Sequence, residues 1–459
     1  MNGSPRGLRP AQILVMSFGA AISAGTLLLW LPLSSRGDPL GFLDALFTAT
    51  SAVCVTGLTV VDTGSHFTPF GQVVILLLIQ LGGLGIMTLG TFFVAALGGR
   101  LGWRGRDLLS HTLSPNPRSD LWDLLKGVLL LTLSLEAIGA VLLFLRFAAH
   151  MQVSQAVWHA LFHSVSAFCN AGFSLNADSF EGYVGDFLVN GTLIALIVAG
   201  GLGFVVMLEL RNRAARLLRR SRSFSPRLPF SFHSRLTLTF TAVIVGIAFL
   251  LFLTLEWGDT LSGMPIHQKL LASLFQAITP RTAGFNTVPI GATSNATLFL
   301  LILVMFIGGA PGSCAGGVKV STFGVLFSLA LNRAKGNTDT VIFEHRVSER
   351  TVSKALSIMT LAVAVVVVFT FLLVAVEVGT VSFGDTRGEF IRLFFEAVSA
   401  FGTVGLSTGS TPGLSTAGQL LVTLLMFIGR LGPLTVALAV AQRQRRPLYR
   451  YVEEDVMVG

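Results

Sequence analysis

The stretches SAVCVTGLTV at residues 51–60, SAFCNAGFSL at 166–175, ITPRTAGFNT at 278–287 and SAFGTVGLST at 399–408 are one string written four times. Their shared glycines, Gly57, Gly172, Gly284 and Gly405, recur at intervals of 115, 112 and 121 residues. Self-similarity at a fixed period marks a repeat architecture in which each copy is one supersecondary unit. A second glycine follows 24 to 28 residues after the first in every copy: Gly82, Gly200, Gly308 and Gly429.

The chain around these strings suits lipid. Of its 459 residues, 52% are hydrophobic and 12% charged, against about 25% charged in soluble domains; mean hydropathy is +0.75. Each string is preceded by a short apolar segment, at 40–53, 154–168, 266–279 and 388–401. A helix of about 14 residues reaches only about 21 Å, too short to cross a bilayer, so these segments read as re-entrant or interfacial helices. Longer apolar stretches flank them, at 11–33, 69–98, 122–147, 184–210, 235–257, 295–331, 351–378 and 413–442. The predicted fold is an all-α integral membrane protein with eight spanning helices and four re-entrant pore helices. The four repeats (span, half-helix, span) cover 1–100, 101–213, 214–334 with a broken second span, and 335–442, with a cytoplasmic C-terminal tail at 443–459.

Orientation follows the positive-inside rule. Of 32 Lys and Arg residues, 24 fall in the terminal segments and loops of one side. Six (Arg36, Arg146, Lys269, Arg281, Arg387 and Arg392) fall on the other. Both termini are thus expected in the cytoplasm. The apolar run from Ala11 to Leu31 is longer than a signal-peptide core and reads as an uncleaved first span. The net charge of +9 belongs to these topogenic loops rather than to a nucleic-acid surface. Three cysteines make no disulfide framework.

Each repeat holds two spans, so all four share one orientation. Such repeats are related by an axis along the membrane normal, whereas carriers with inverted repeats have an axis in the plane. Four half-helices and four glycine loops then surround one pseudo-fourfold pore. Irregular backbone at this depth must be buried or line a wet cavity, and rings of backbone carbonyls can replace an ion's hydration shell. The candidate filter is Val55, Thr56 and Gly57; Asn170, Ala171 and Gly172; Thr282, Ala283 and Gly284; and Thr403, Val404 and Gly405. No aligned ring of carboxylates accompanies them, which suits a weakly hydrated monovalent cation better than Mg²⁺. An enzyme would need converging acid, base or nucleophile groups, and the repeats supply backbone glycines instead. A carrier with an occluded site and obligatory sodium coupling is the alternative reading.

Residues 308–317, GGAPGSCAGG, place five glycines and a proline within the sixth span. Gly and Pro disfavour helix interiors, so the span is expected to break below the filter. Gly308, Gly309, Pro311, Gly312, Gly316 and Gly317 form either a mobile obstruction or a static kink. A dinucleotide loop is excluded because no strand precedes the run, and the chain has no nucleotide site of its own. Arg430 lies mid-span, where a charge is costly and faces the interior or a wet cavity. It would repel a permeant cation or pair with carbonyls of the broken helix. Lys319 would share that role or be solvated near the cytoplasm.

These residues resemble the superfamily of Trk, Ktr and HKT potassium transporters across essentially the whole chain. TSAVCVTGLTVVDT at 50–63, QAITPRTAGFNT at 276–287 and AVSAFGTVGLSTG at 397–409 look like its first, third and fourth filter loops. The first span starts near residue 11, leaving no room for two extra N-terminal spans, so the chain resembles above all the membrane (B) subunit of Ktr systems. That resemblance implies a homodimer in the bacterial cytoplasmic membrane, with one pore per subunit, docked on a cytosolic RCK-type nucleotide-binding ring. It implies K⁺ uptake, often Na⁺-dependent, with K⁺ held at the filter carbonyls. It also links glycine at the position of Gly57 to K⁺ selectivity and serine there to Na⁺ transport. No role carries over to Cys54 or Cys169.

Weaker signals remain. His159 and His163 are four apart on one helical face, as metal ligands or a wet outer rim. Glu136, Glu256 and Glu377 read as interhelical hydrogen-bonding groups or outer-interface residues, with a cation relay as the other reading. Asn190-Gly-Thr and Asn295-Ala-Thr match the glycosylation pattern but begin spans. The arginine-rich loop 211–235 reads as anionic-lipid contact, with the inner loops together docking the ring.

Overall fold

The computed structural model describes residues 10–84, 121–218, 230–382, 384–433, 435 and 436. The inner loop expected over 99–126 lies largely outside these residues, as do part of loop 211–235, the ends of the second and eighth predicted spans, and the tail at 443–459.

The repeats emerge as four successive groups of helices. The first contains α1 (Pro10–Trp30), α2 (Phe42–Val53) and α3 (Pro69–Gly83). The second contains α4 (Leu121–Phe147), α5 (Val153–Phe168), α6 (Phe187–Leu202) and α7 (Phe204–Leu218). The third contains α8 (Phe232–Leu255), α9 (Ile266–Ile278), α10 (Asn295–Phe306) and α11 (Val320–Ala334). The fourth contains α12 (Glu349–Glu377), α13 (Glu389–Gly402) and α14 (Thr416–Leu431). A two-stranded hairpin, Val341–Ile342 with His345–Arg346, joins the last two groups.

The helices form an outer and an inner layer. Among the described residues, four helices are long and apolar enough to cross a membrane alone, and these lie in α1, α4, α8 and α12. Their outward faces carry exposed Leu133, Ile138, Val141 and Leu145, or Val363, Val367, Val368 and Phe371, which suits solvation by lipid chains. The short helices α2, α5, α9 and α13 lie inside, with their C-terminal halves buried. Each first helix packs on the short helix of its own group, and each second helix packs on the short helix of the next: α3 on α5, α6 on α9, α10 on α13. The packing of α14 on α2 closes the circle.

Of the second helices, α10 ends early, as the expected break in the sixth span requires, and the others differ from the continuous spans predicted. α3, α6, α10 and α14 run for 15, 16, 12 and 16 residues, roughly 18–24 Å against a hydrocarbon core of about 30 Å. The stretch 184–210, read as one span, turns by 114° between α6 and α7. Gly203, with φ +84°, makes that turn and is a conformation L-residues disfavour. Gly432 stands at the same point after α14 with φ +83°. The break expected only in the sixth span therefore recurs in the second and fourth repeats.

At the outer ends, the first and second helices are tied by polar pairs. Glu256 accepts from the amide of Ser294 at 3.0 Å and the hydroxyl of Thr297 at 2.5 Å, capping α10. Glu377 accepts from the amide and hydroxyl of Ser415 at 3.0 and 2.7 Å, capping α14. In the second repeat, Arg146 Nε donates to Asp186, the residue that caps α6. Glu136 sits deeper, with Gln80 Nε2 donating to it at 3.3 Å. All three glutamates thus serve as hydrogen-bonding ties.

The second glycine of each string also has a place. A Cβ on Gly82 would lie 2.0 Å from the Val53 carbonyl oxygen, one on Gly200 1.8 Å from that of Phe168, and one on Gly429 1.9 Å from that of Phe401. In three repeats this glycine therefore lets the second helix sit against the end of its own half-helix. Gly200→Ala is expected to destabilise the folded protein by about 1–3 kcal/mol through overpacking. Gly246→Ala, where a Cβ meets nothing within 4 Å, is expected to be neutral or mildly stabilising. Thermal unfolding of the two variants in detergent or nanodiscs, side by side, checks the contrast.

Candidate ion pathway

The four half-helices point their C-terminal ends at one place. α2, α5, α9 and α13 end at Val53, Phe168, Ile278 and Gly402, a few residues before Gly57, Gly172, Gly284 and Gly405. A helix C-terminus carries about −0.5 of an elementary charge, so four partial negative charges surround the glycines.

Backbone geometry repeats from loop to loop. Val55, Asn170, Thr282 and Thr403 all have positive φ, at 55°, 58°, 71° and 50°. Two residues later, Gly57, Gly172, Gly284 and Gly405 have φ of 91°, 71°, 77° and 89°. Among the described residues only three other non-glycines have positive φ, so the strain is concentrated at this register. Each such non-glycine costs on the order of 1–3 kcal/mol and persists only where its surroundings over-determine it.

The loops meet in a closed ring. A Cβ on Gly57 would lie 2.4 Å from the Ala171 carbonyl oxygen, and one on Gly172 3.0 Å from that of Ala283. One on Gly284 would lie 2.4 Å from the Val404 oxygen, and one on Gly405 2.2 Å from that of Thr56. The residue before each glycine thus presents its carbonyl to the glycine of the preceding loop. The ring order is the order of the repeats.

Hydroxyl groups that sequence reading passed over hold each loop to its half-helix. Ser51 and Ser399 accept from the amides of Gly57 and Gly405, each at 3.1 Å. Ser166 donates to the Phe173 carbonyl at 2.8 Å, and Thr279 to that of Phe285 at 2.6 Å. The signal was present, because serine stands six residues before the glycine in three of the four strings. Glu396, also passed over, is buried and gathers the next turn. It accepts from Ser407 Oγ at 2.5 Å, the Thr408 amide at 3.1 Å and Thr411 Oγ1 at 2.8 Å.

The glycine-rich segment lies against the inner side of this assembly. Between α10 and α11 the chain crosses itself, with the Gly308 amide donating to the Val318 carbonyl at 2.8 Å and the Val320 amide to that of Gly309 at 3.0 Å. It reaches the second repeat through the Ala310 amide to the Gly201 carbonyl at 2.9 Å and the Phe204 amide to the Gly312 carbonyl at 3.1 Å. Cys314 Sγ donates to the Gly83 carbonyl at 2.9 Å, reaching the first repeat. A Cβ on Gly316 would lie 2.2 Å from Thr403 Oγ1 in the fourth. Pro311, exposing its carbonyl to Gly203, and Gly317, with φ 62°, complete the segment.

Arg430 is buried and donates to the carbonyls of Cys314 and Gly82. It is therefore paired with the glycine-rich segment, one of the two arrangements its mid-span position allowed. Cys54, Cys169 and Cys314 are all buried free thiols. Lys319 is not freely solvated: its Nζ donates to the Ala315 carbonyl at 2.5 Å, inside the same segment.

His163 is wholly buried, which removes the wet-rim reading for that residue, while His159 is half-buried. Its Nδ1 meets the His159 carbonyl at 2.8 Å, and its Nε2 lies 3.1 Å from both Ser174 Oγ and the Leu175 amide. Both ring nitrogens are thus engaged, Nδ1 within its own helix and Nε2 in positioning the second loop, and no group of three metal-ligating side chains occurs among the described residues. Asn190 Nδ2 is occupied too, donating to the Tyr183 and Asp186 carbonyls at 2.7 and 2.8 Å.

Comparison with known proteins shows the family. The family model described as TrkH, cation transport protein, matches residues 5–447. The Ktr system potassium uptake protein B of Bacillus subtilis is 39% identical over 98% of this chain and 97% of its own length. The potassium/sodium uptake protein NtpJ of Enterococcus hirae is 36% identical over 98% of each. The crystal structure of the potassium transporter TrkH from Vibrio parahaemolyticus shares the fold at 20% identity, with a TM-score of 0.74, covering 96% of this chain and 87% of that one. The chain is a multi-pass membrane transporter rather than an enzyme, and it belongs to the TrkH family of cation transport proteins.

Proposed function

We propose that this protein takes up potassium ions through the ring of four glycine loops, down the electrochemical gradient. The observation that carries this reading is the shared strained register, positive φ at Val55, Asn170, Thr282 and Thr403 and again at the following glycines. Such a backbone turns the carbonyls of Thr56, Ala171, Ala283 and Val404 toward one axis, where they replace water around a monovalent cation. The four half-helix ends add negative potential. Relatives named for potassium uptake, and one for potassium and sodium, support K⁺ as the cargo and Na⁺ as a second ion.

In this reading the repeats 1–100, 101–213, 214–334 and 335–442 each supply two spans and a re-entrant half-helix around a pseudo-fourfold pore. Gly308, Gly309, Pro311, Gly312, Gly316 and Gly317 are the gate, closing the path below the filter. Arg430 and Lys319 hold it shut, and the guanidinium repels an ion arriving from above. The protein works as a homodimer in the bacterial cytoplasmic membrane with both termini inside and lipid around α1, α4, α8 and α12. A cytosolic RCK-type ring, docked on the inner loops, supplies nucleotide control.

The test is cation flux through the purified protein in liposomes, comparing K⁺, Rb⁺, Na⁺ and Li⁺. K⁺ and Rb⁺ well ahead of Na⁺ is expected, and equal passage of all four overturns the carbonyl filter. Gly57→Ser places a side chain where a Cβ already lies 2.4 Å from the Ala171 oxygen. It is expected to shift the K⁺/Na⁺ preference toward Na⁺ by about tenfold, or about 1.4 kcal/mol of discrimination. Removing residues 311–315, or replacing Arg430 by Ala, is expected to raise K⁺ flux severalfold in a protein that remains dimeric. An unchanged rate in both would make this segment a static brace.

A further inference from the structure

Above the glycine ring lies a cavity of about 200 Å³, lined by all four loops. Its wall is built from small polar groups, among them Thr59, Ser174, Asn176, Asn286 and Ser407. Among the described residues that line it, Asp62 is the sole charged side chain. The other loops place uncharged Ala177, Pro289 and Ser410 at the equivalent position, five residues past the glycine. Behind the wall, Glu181 accepts from Asn286 and Glu396 from Ser407, so a charged side chain in the lining itself belongs to the first quadrant.

The two oxygens of Asp62 are used unequally. Oδ2 accepts from the Ser65 amide at 2.7 Å and from Ser65 Oγ at 2.5 Å, capping the short helix Thr63–His66. Oδ1 makes no hydrogen bond within the described residues. A carboxylate is not needed for the cap, because asparagine caps as well as aspartate. What the charge adds is a negative potential at the mouth, where low-dielectric walls focus it and raise the local concentration of cations.

We infer that Asp62 captures incoming monovalent cations, gathering them at the mouth before the ring selects among them. The inference rests on the ring being the ion path. Capture by one charge across hydrated space acts on K⁺ and Na⁺ alike. It sets how much external cation half-saturates uptake, and leaves the choice between ions to the carbonyls. Because the charge faces water, its effect declines as added salt shortens the screening length.

The experiment measures K⁺ uptake against external K⁺ for the wild-type protein and Asp62→Asn in liposomes, at low ionic strength and with added choline chloride. Asp62→Asn is expected to raise the half-saturating K⁺ concentration about threefold at low ionic strength. The maximal rate and the K⁺/Na⁺ preference are expected to hold, and the gap to close as choline chloride is added. An unchanged half-saturation overturns the inference and makes Asp62 a cap and nothing more; a lower maximal rate that ignores salt overturns it too. Asp62→Glu, which keeps the charge, should restore the wild-type half-saturation. Failure of the underlying pathway has a different signature: wild-type protein that passes K⁺ and Na⁺ equally.

Discussion

The structure depends on how closely four stretches of backbone approach one another where side chains are missing. Each ring glycine has the carbonyl of the next loop so near that a Cβ would collide with it. The same rule operates a turn further out, where Gly82, Gly200 and Gly429 let a second helix rest on the last carbonyl of a half-helix. The half-helix termini aimed at this place surround it with partial negative charge. The outer helices, their lipid-facing stripes and the polar ties at their ends all serve to hold four loops at this separation.

Much of this arrangement was legible in the sequence, for physical reasons. Glycine at a constant register is needed wherever backbones touch, so the four strings announced the ring. Half-helices too short to span betrayed themselves by length, and Phe42–Val53 and Ile266–Ile278 fall within the segments read for them. The turn at Gly203 was not legible, because VAGGLGFVV is apolar throughout and hydropathy carries no dihedral angle. Nor did the sequence reveal that Ser51, Thr279 and Glu396 hold the loops. Hydroxyls and a carboxylate beside a pore look like pore-lining groups until their partners are seen. For Lys319 the sequence left two readings open, a share in the role of Arg430 or solvation, and only its partner, the Ala315 carbonyl four residues before it, decides between them.

The inner face shows how one departure from symmetry is accommodated. Three second helices keep their glycine against a half-helix, while in the third repeat the helix ends at Phe306 and Gly308 instead meets Gly316 of its own segment. The freed chain crosses under the ring and bonds to the backbones of the first and second repeats while touching the fourth. Arg430 then links this segment and α3 through two carbonyls. A guanidinium buried with carbonyl partners alone keeps its charge, so the link is also a fixed positive point beneath the ring. The segment is thus held by contacts to three repeats together.

Because the ring is closed by one polypeptide, its quadrants are free to diverge. In an assembly of four identical chains, a residue placed at the mouth or beneath the ring must appear four times. Here an aspartate stands in the first quadrant, a crossing segment in the third and an arginine in the fourth, each present once. A sequence change then alters a quarter of the ring and leaves three quarters intact. Covalent linkage of the four repeats thus makes symmetry a scaffold whose quadrants can be altered one at a time rather than a constraint on every position.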